Sequence, residues 1–463
     1  MSGSAVHGGD EINALVLDPG SYYTRIGYAG DDFPKITTPS FFAIGPDPPK
    51  KGKRTRIFGE AIGVPRSNYV VKPIIKDSLI VDWDAAIEQY KYYFEDVLKI
   101  NYKEQPILIV EPVWATTEYR QKVVEEFFAN FDFPALYLAK SPTCISFQQG
   151  RANCLVVDIG HDSVSITPVI DGMSLLRNTT KTHYAGAFLN AQIQDMLSKK
   201  FPNVDLCAKY LVRDRTPTKY PEEAKYTQRQ LPDNITDSFY EYQQLALWHE
   251  IKETMLEVPE KKLASDRETY KDETHKRSFE LPLGQLIELG IERFELADSL
   301  FDPKSYPLSD QDKFPPTNGE VSIKTMYDDY RPVKRTKRTE SSQSSPPPEE
   351  EEAVTIRGLS QLVAHTLTSV DIDLRASMAH NIIISGGTSL ITQLTERIQA
   401  DLSNTNPGLK VRLHAVGSSA ERSSQSWIGG SVLSSLGTFH QMWVTKEEYQ
   451  QAGAEKILNQ RFR

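Results

Sequence analysis

The chain has 463 residues, of which 39% are hydrophobic and 25% charged, with a formal net charge of −9. That length carries two or three domains with ample core, and the acidic balance argues against a protein that coats nucleic acid non-specifically. Cys144, Cys154 and Cys207 are too few and too scattered for a disulfide framework or a Cys-based zinc site, which points to a reducing compartment.

The N-terminus, MSGSAVHGGDE, lacks the basic and apolar regions of a secretory signal. No apolar run is long enough to span a membrane. The glycosylation patterns at Asn178 and Asn234 are therefore read as chance matches.

The first predicted element is a hairpin, ALVLDPGSYYTRIGYAG. A strand Ala14–Leu17 runs into Asp18, a turn Pro19-Gly20-Ser21 follows, and a second strand runs over Tyr22–Tyr28. Glycine lets the backbone approach a ligand. Successive N–H groups at such a tip can cradle an anion. Asp18 could hold a hydrated Mg²⁺, which favours one or two carboxylates plus water and phosphate oxygens. Taken alone, the stretch also reads as an ordinary hairpin with a polar turn.

Pro39–Arg66, with PDPPKKGKRTR at its centre, reads as an exposed, mobile excursion, and its basic cluster (Lys50, Lys51, Lys53, Arg54, Arg56) as a solvated loop. Helical pattern covers Trp83–Leu98, a strand Pro106–Val110, and a second helix Thr117–Phe131 with Val123, Val124, Phe127 and Phe128 on one side. The opening order then recurs. Strand Cys154–Val157 meets Asp158-Ile159-Gly160-His161-Asp162-Ser163, and a second strand follows over Val164–Ile170. A repeat about 140 residues on suggests a duplicated domain rather than a solenoid. Two facing tips, each with Asp and Gly, could hold a nucleotide's phosphates and a metal between them.

Leu206–Tyr242 is rich in Pro, Tyr and charge and reads as a surface insertion; Phe239–Leu256 is helical. His249-Glu250 resembles the start of a zinc-protease helix, but Glu253 stands where the second His is needed. Neither a nucleophile elbow nor a P-loop pattern occurs. Pro303–Ala353, with VKRTKR, SSQSSPPP and EEEE, reads as a disordered linker. Lys334–Arg338 fits a nuclear localisation signal, a nucleic-acid contact or a plain basic patch. Strand Asn381–Ile384 then meets Ser385-Gly386-Gly387-Thr388, with a helix expected directly after it on Leu390, Ile391, Leu394, Ile398 and Leu402. Such a turn offers N–H groups and a positive helix end to an anion. A small-residue-rich helix at Trp427-Ile-Gly-Gly and the run Phe439–Tyr449 close the chain.

DPGSYYTRIGYAGDD, LVVDIGHDSVSITPVIDG, YAGAFL, IKETM, IIISGGTSLI and ERSSQSWIGGSVLSSLGTFHQMWVTKEEY resemble actin and the actin-related proteins, in the same order. The N-terminal GGDEINALVLDPGSYYTRIGYAG is most similar to their nuclear class. The resemblance implies an α/β, actin/Hsp70/hexokinase-type duplicated fold, two lobes with ATP (or ADP) and Mg or Ca in the cleft between them. Residues 1–150 would form the first lobe and 151–424 the second, with insertions near 206–242 and 303–353. Residues 425–463 would return to the first lobe.

On the same resemblance, Asp18, Gly20, Ser21, Tyr22 and Tyr23 form one phosphate hairpin, with Arg25 in place of a phosphate-binding lysine. Asp158, Gly160, His161, Asp162 and Ser163 form the other. Asp18 and Asp158 would hold the metal through water. Gly186 would border the ribose, Lys252 and Glu253 would reach the adenosine, and Gly386, Gly387 and Thr388 would form the third turn.

The departures carry information. Ser141 and Ser165 stand where actin positions its attacking water with Gln and His, Ser423 replaces an adenine-side lysine, and Pro19 removes one N–H from the first cradle. His161 and Asp162 replace Asp and Gly, which narrows the second hairpin's freedom. ATP binding with little or no hydrolysis follows as the expectation, hence a pseudo-ATPase with no catalytic residues.

The resemblance further implies a nuclear scaffold subunit of ATP-dependent chromatin-remodelling and histone acetyltransferase complexes. It would pair with actin on the helicase-SANT-associated helix of a remodeller motor subunit, alongside other complex subunits. Clusters 50–56 and 331–338 could contact DNA, and Glu349–Glu352 could contact histones. No membrane association and no homo-filament are expected. The competing expectation is a polymerising, actin-like cytoskeletal ATPase. A small-molecule kinase or chaperone on the same fold would need a catalytic Asp or a peptide-binding domain.

Overall fold

The computed structural model describes residues 14–46, 56–204, 206, 208–310, 314, 320–321 and 356–462. Two large sheets share one plan. In the six-stranded sheet, Leu15–Pro19 and Tyr23–Tyr28 form the predicted antiparallel hairpin, with Asp18 opposite Arg25. Ile36–Pro39 extends it on one side. On the other, Leu15–Pro19 runs parallel to Ile107–Glu111, which runs parallel to Ala135–Lys140.

The second sheet, of seven strands, repeats this order. Cys154–Ile159 and Val164–Ile170 form the hairpin, with Asp158 opposite Ser165. Thr180–Thr182 pairs antiparallel on one flank, and Ile382–Ser385 then Leu413–Ala415 run parallel on the other. The repeat seen in the sequence is therefore a repeat of topology. Its central strands read as unbroken apolar runs because parallel strands are covered on both faces; Leu15, Val16, Leu17 and Ile382–Ile384 are all fully buried.

Helices fill those faces. Thr117–Asn130 starts at Thr116, whose hydroxyl accepts from the Tyr119 N–H, and it buries Val123, Val124, Phe127 and Phe128 as their spacing predicts. The closing helix Gln425–Ser435 lies against Ser141–Gln148. A Cβ on Gly429 would fall 1.8 Å from the Cys144 carbonyl oxygen, so only glycine permits this approach. Trp427 is fully buried and its indole N–H donates to the Val16 carbonyl at 3.0 Å. Val444–Thr445 pairs with Ala135–Leu136, and Ala454–Arg461 packs on Thr117–Asn130.

Four expectations need correction or completion. The 39–66 stretch is not an exposed excursion at its ends. Phe41–Ile44 pairs with Arg56–Ile57 and Val70–Pro73 in a small sheet, and Phe42, Ala43 and Ile62 are buried. Its Pro- and Lys-rich centre masked the apolar FFAI and IFG flanks. Residues 47–55, with most of the basic cluster, lie outside the described residues. Arg56 is paired with Glu88 at 2.8 Å rather than free in solvent.

The 206–242 insertion does form an exposed hairpin, Val212–Thr216 with Lys225–Gln228, but Phe239 near its end is buried. Of 303–353, Glu320–Val321 pairs with Lys181–Thr182; the basic and acidic runs at 331–352 lie outside the described residues.

The helix expected directly after Gly386-Gly387 begins only at Leu394. A 3₁₀ turn, Gly387–Leu390, and Gln393 at φ 66° intervene. Leu394, Ile398 and Leu402 are fully buried, whereas Leu390 is exposed. The glycine turn therefore leads into a 3₁₀ turn rather than opening the helix itself.

Candidate functional site

Between the two sheets lies a cavity of about 800 Å³, into which both hairpin tips, the Gly386-Gly387 turn and the long helix Asp237–Met255 project. Every residue expected at a ligand site lines it except Gly186. Gly186 stands behind the wall instead. Its N–H donates to the Gly160 carbonyl at 3.2 Å, its carbonyl accepts from Lys252 Nζ at 3.2 Å, and a Cβ there would come within 2.7 Å of Thr388 Oγ1. It locks three predicted segments together directly behind the cavity lining.

The first tip is shaped by Gly20, whose N–H donates to the Asp18 and Tyr23 carbonyls and whose Cβ position lies 2.7 Å from the Tyr23 oxygen. Ser40 fixes it from outside, donating to the Gly20 carbonyl at 2.6 Å. The Asp18 carboxylate accepts from Ser426 Oγ at 2.6 Å and faces Arg25 at 3.6 Å. Burial pushes its pKa up against the pull of Arg25 and Ser426. The Arg25 Nε is buried with no partner among the described residues.

At the second tip the Gly160 N–H donates to the Ser163 carbonyl at 3.0 Å, and Thr388 Oγ1 donates to the Gly160 carbonyl at 2.8 Å. Asp158 is pushed up to about 6 by burial and then by the Asp18 charge. Asp162 lines the cavity, but its carboxylate is taken by the Asp77 N–H at 2.7 Å. His161 is pushed down to about 4 by burial and by Lys252, so its ring is neutral at physiological pH. Gly386 sits at φ +90°, and a Cβ there would lie 2.3 Å from the Ile159 oxygen.

On the long helix, burial holds Lys252 down at about 8, and Glu253 pairs with His249 at 3.0 Å. Ser141 and Ser165 both face the cavity, as does Ser423.

These features fit a nucleotide with a divalent cation. Two carboxylates with raised pKa values share one cavity, which is the strain a divalent cation relieves. A buried cation, a partnerless Arg25 nitrogen and glycine turns with no room for side chains supply an anion cradle.

Sequence reading missed a group that backs the cavity at Ser78 and Trp114. Lys181 pairs with Asp77 across 104 positions, and its ammonium lies 4.1 Å from the Trp114 ring centre. Trp114 Nε1 donates to the Asp77 carbonyl at 2.8 Å, and the Ser78 N–H donates to Ser21 Oγ at 2.8 Å. It also missed Ser426, which lies inside a quoted motif but carries no spacing signal. Only the fold brings these distant positions together.

Comparison with known proteins agrees with this geometry. A family model described as Actin matches residues 9–463. The sequence is 61% identical to actin-related protein 4 of Debaryomyces hansenii over 99% of each chain. It is 56% identical to the protein of that name from Candida albicans, over 100% of this chain and 99% of that one. Against the Saccharomyces cerevisiae protein of the same name identity is 37% over the whole of both chains.

Proposed function

The chain belongs to the actin family, and from that premise we propose that it is a nucleotide-stabilised, non-catalytic scaffold subunit of nuclear chromatin-remodelling and histone acetyltransferase complexes. One observation carries the non-catalytic part. The binding elements are assembled in one cavity, while the two positions that would hold an attacking water carry Ser141 and Ser165.

Bound ATP or ADP, with Mg or Ca, would supply the anionic charge that the cleft is built to receive. Asp18 and Asp158 would hold the cation through water, and N–H groups at the two tips and the Gly386-Gly387 turn would bind phosphate oxygens. Lys252 would add a buried positive charge, and Glu253 would accept from ribose hydroxyls. A serine hydroxyl is too short to orient a water across the cavity and is no base near neutral pH. A ligand that binds only the folded cleft stabilises both lobes by linkage.

The scaffold role is supported by the closing segment. Trp427 is core, but Val432, Leu436 and Met442 remain exposed along it. Such a row accepts the apolar face of an amphipathic helix, here that of the helicase-SANT-associated helix of a motor subunit, with actin bound beside it.

The test mixes the purified chain with monomeric actin and a synthetic motor-subunit helix and follows elution by size. A single species with one copy of each is expected, and Leu436→Asp should abolish it. Separate elution of the three components contradicts the reading.

A further inference from the structure

The closing helix touches the acid of the first hairpin tip at Ser426. This serine is the second residue of Gln425–Ser435 and lines the cavity. Its hydroxyl donates to Asp18 Oδ2 at 2.6 Å, a length typical of a hydrogen bond to an ionised carboxylate. The positive end of the helix lies beside the same carboxylate.

The neighbours of Ser426 leave it little play. Trp427 is fully buried and donates from Nε1 to the Val16 carbonyl at 3.0 Å, two residues before Asp18 on the same strand. Gln425 is fully buried too, and its Nε2 donates to Gln148 Oε1 at 3.3 Å. The bare Gly429 lets the helix close on the Cys144 carbonyl. Core packing therefore sets the hydroxyl opposite Asp18, and the carboxylate turns to meet it.

The consequence falls on one oxygen. Arg25 Nη1 stands 3.6 Å from the same Oδ2, whereas among the described residues none donates to Oδ1. Mg²⁺ demands a near-octahedral shell and keeps several waters beside one or two carboxylates. Ca²⁺ takes six to eight oxygens in a flexible shell and accepts both oxygens of one carboxylate. A carboxylate pinned at Oδ2 presents a single oxygen, which suits the first cation and denies the second.

We propose that Ser426 is a positioning residue that sets the preference of the cleft for Mg²⁺ over Ca²⁺, by holding Asp18 to one free oxygen. The role rests on the reading of the cleft as a nucleotide and cation site. It belongs to the hydroxyl and not to the bulk of the side chain.

The test titrates the full chain with Mg²⁺ and with Ca²⁺ by calorimetry, in one arm with ATP bound and in the other without nucleotide. Ser426→Ala frees Oδ2, and the ratio of Mg²⁺ to Ca²⁺ affinity is expected to fall about tenfold, chiefly through tighter Ca²⁺ binding. Ser426→Thr keeps the hydroxyl and should stay within about twofold of the natural ratio. A merely structural hydroxyl would weaken both cations together, so an unchanged ratio in Ser426→Ala overturns the proposal. An alanine-like ratio in Ser426→Thr overturns it as well. The two arms keep the readings apart. A ratio that falls without nucleotide supports the role of Ser426 even if ATP does not bind, and contradicts the nucleotide reading alone. ATP binding with an unmoved ratio overturns the role of Ser426 alone. If the natural chain binds neither cation in either arm, both are overturned.

Discussion

The buried ammonium of Lys252 is the group whose removal says most about what the cleft is for. It is 8% exposed, and burial lowers its pKa from 10.5 to about 8. At 1.36 kcal/mol per pH unit, carrying that charge disfavours the ligand-free fold by about 3 kcal/mol at pH 7. The sign follows from proton uptake. The native state binds this proton less tightly than the unfolded state. The deficit is therefore complete below pH 8 and disappears as pH rises from about 8 to 10.5, so ligand-free stability climbs across that window. Lys252→Met removes the charge and keeps an unbranched stem. It also leaves the Gly186 carbonyl without its donor, at about 1–2 kcal/mol. Nucleotide-free Lys252→Met should thus be about 1–2 kcal/mol more stable than the natural chain at pH 7, with the gap narrowing toward pH 10. Its stabilisation by magnesium and ATP should fall, because in the proposed reading this charge faces the bound anion. Urea denaturation of nucleotide-free protein at several pH values, with and without ATP, reads both effects. A variant less stable than the natural chain at pH 7 would refute the reasoning, since Lys252 would then be a structural cation.

Arg397 poses the opposite case. Its guanidinium is buried between Asp298 at 3.1 Å, Asp401 at 3.1 Å and the Pro259 and Lys261 carbonyls, so Arg397→Met strands a buried carboxylate and should lower stability by about 3–5 kcal/mol in urea denaturation. Gly386→Ala forces a side chain onto the Ile159 oxygen at a positive φ; titration calorimetry should show ATP affinity reduced by about tenfold or more, together with a lowered denaturation midpoint. Trp427→Ala empties the junction between the closing helix and the first sheet, and about 3–5 kcal/mol of unfolding free energy should be lost in urea denaturation.

The sheets and the site were unequally legible in the chain. The two hairpins announced themselves because apolar strands end on the same Asp-x-Gly order, and strand pairing is local there. The long helices showed through apolar spacing, as at Val123–Phe128. The start at Leu394 was misplaced because Leu390 and Ile391 continue the helical period by eye, although their backbone turns the other way at Gln393. The flanks of the 39–66 stretch were hidden by the composition of its centre. What no local pattern could announce were the long-range meetings: Lys181 with Asp77, Ser426 with Asp18, Ile62 with Phe239. The contacts of Gly186 with Gly160, His161 and Thr388 likewise come only from the fold.

The central claim is that the cleft grips a nucleotide it does not consume. The direct measurement loads the metal-bound, purified chain with one equivalent of ATP labelled on its γ-phosphate, and follows bound nucleotide and free phosphate over hours. With Ser141 and Ser165 at the water-holding positions, the bound species is predicted to remain ATP while free phosphate stays at the level of the solution blank. Phosphate release at a rate like actin's, leaving ADP in the cleft, would contradict it.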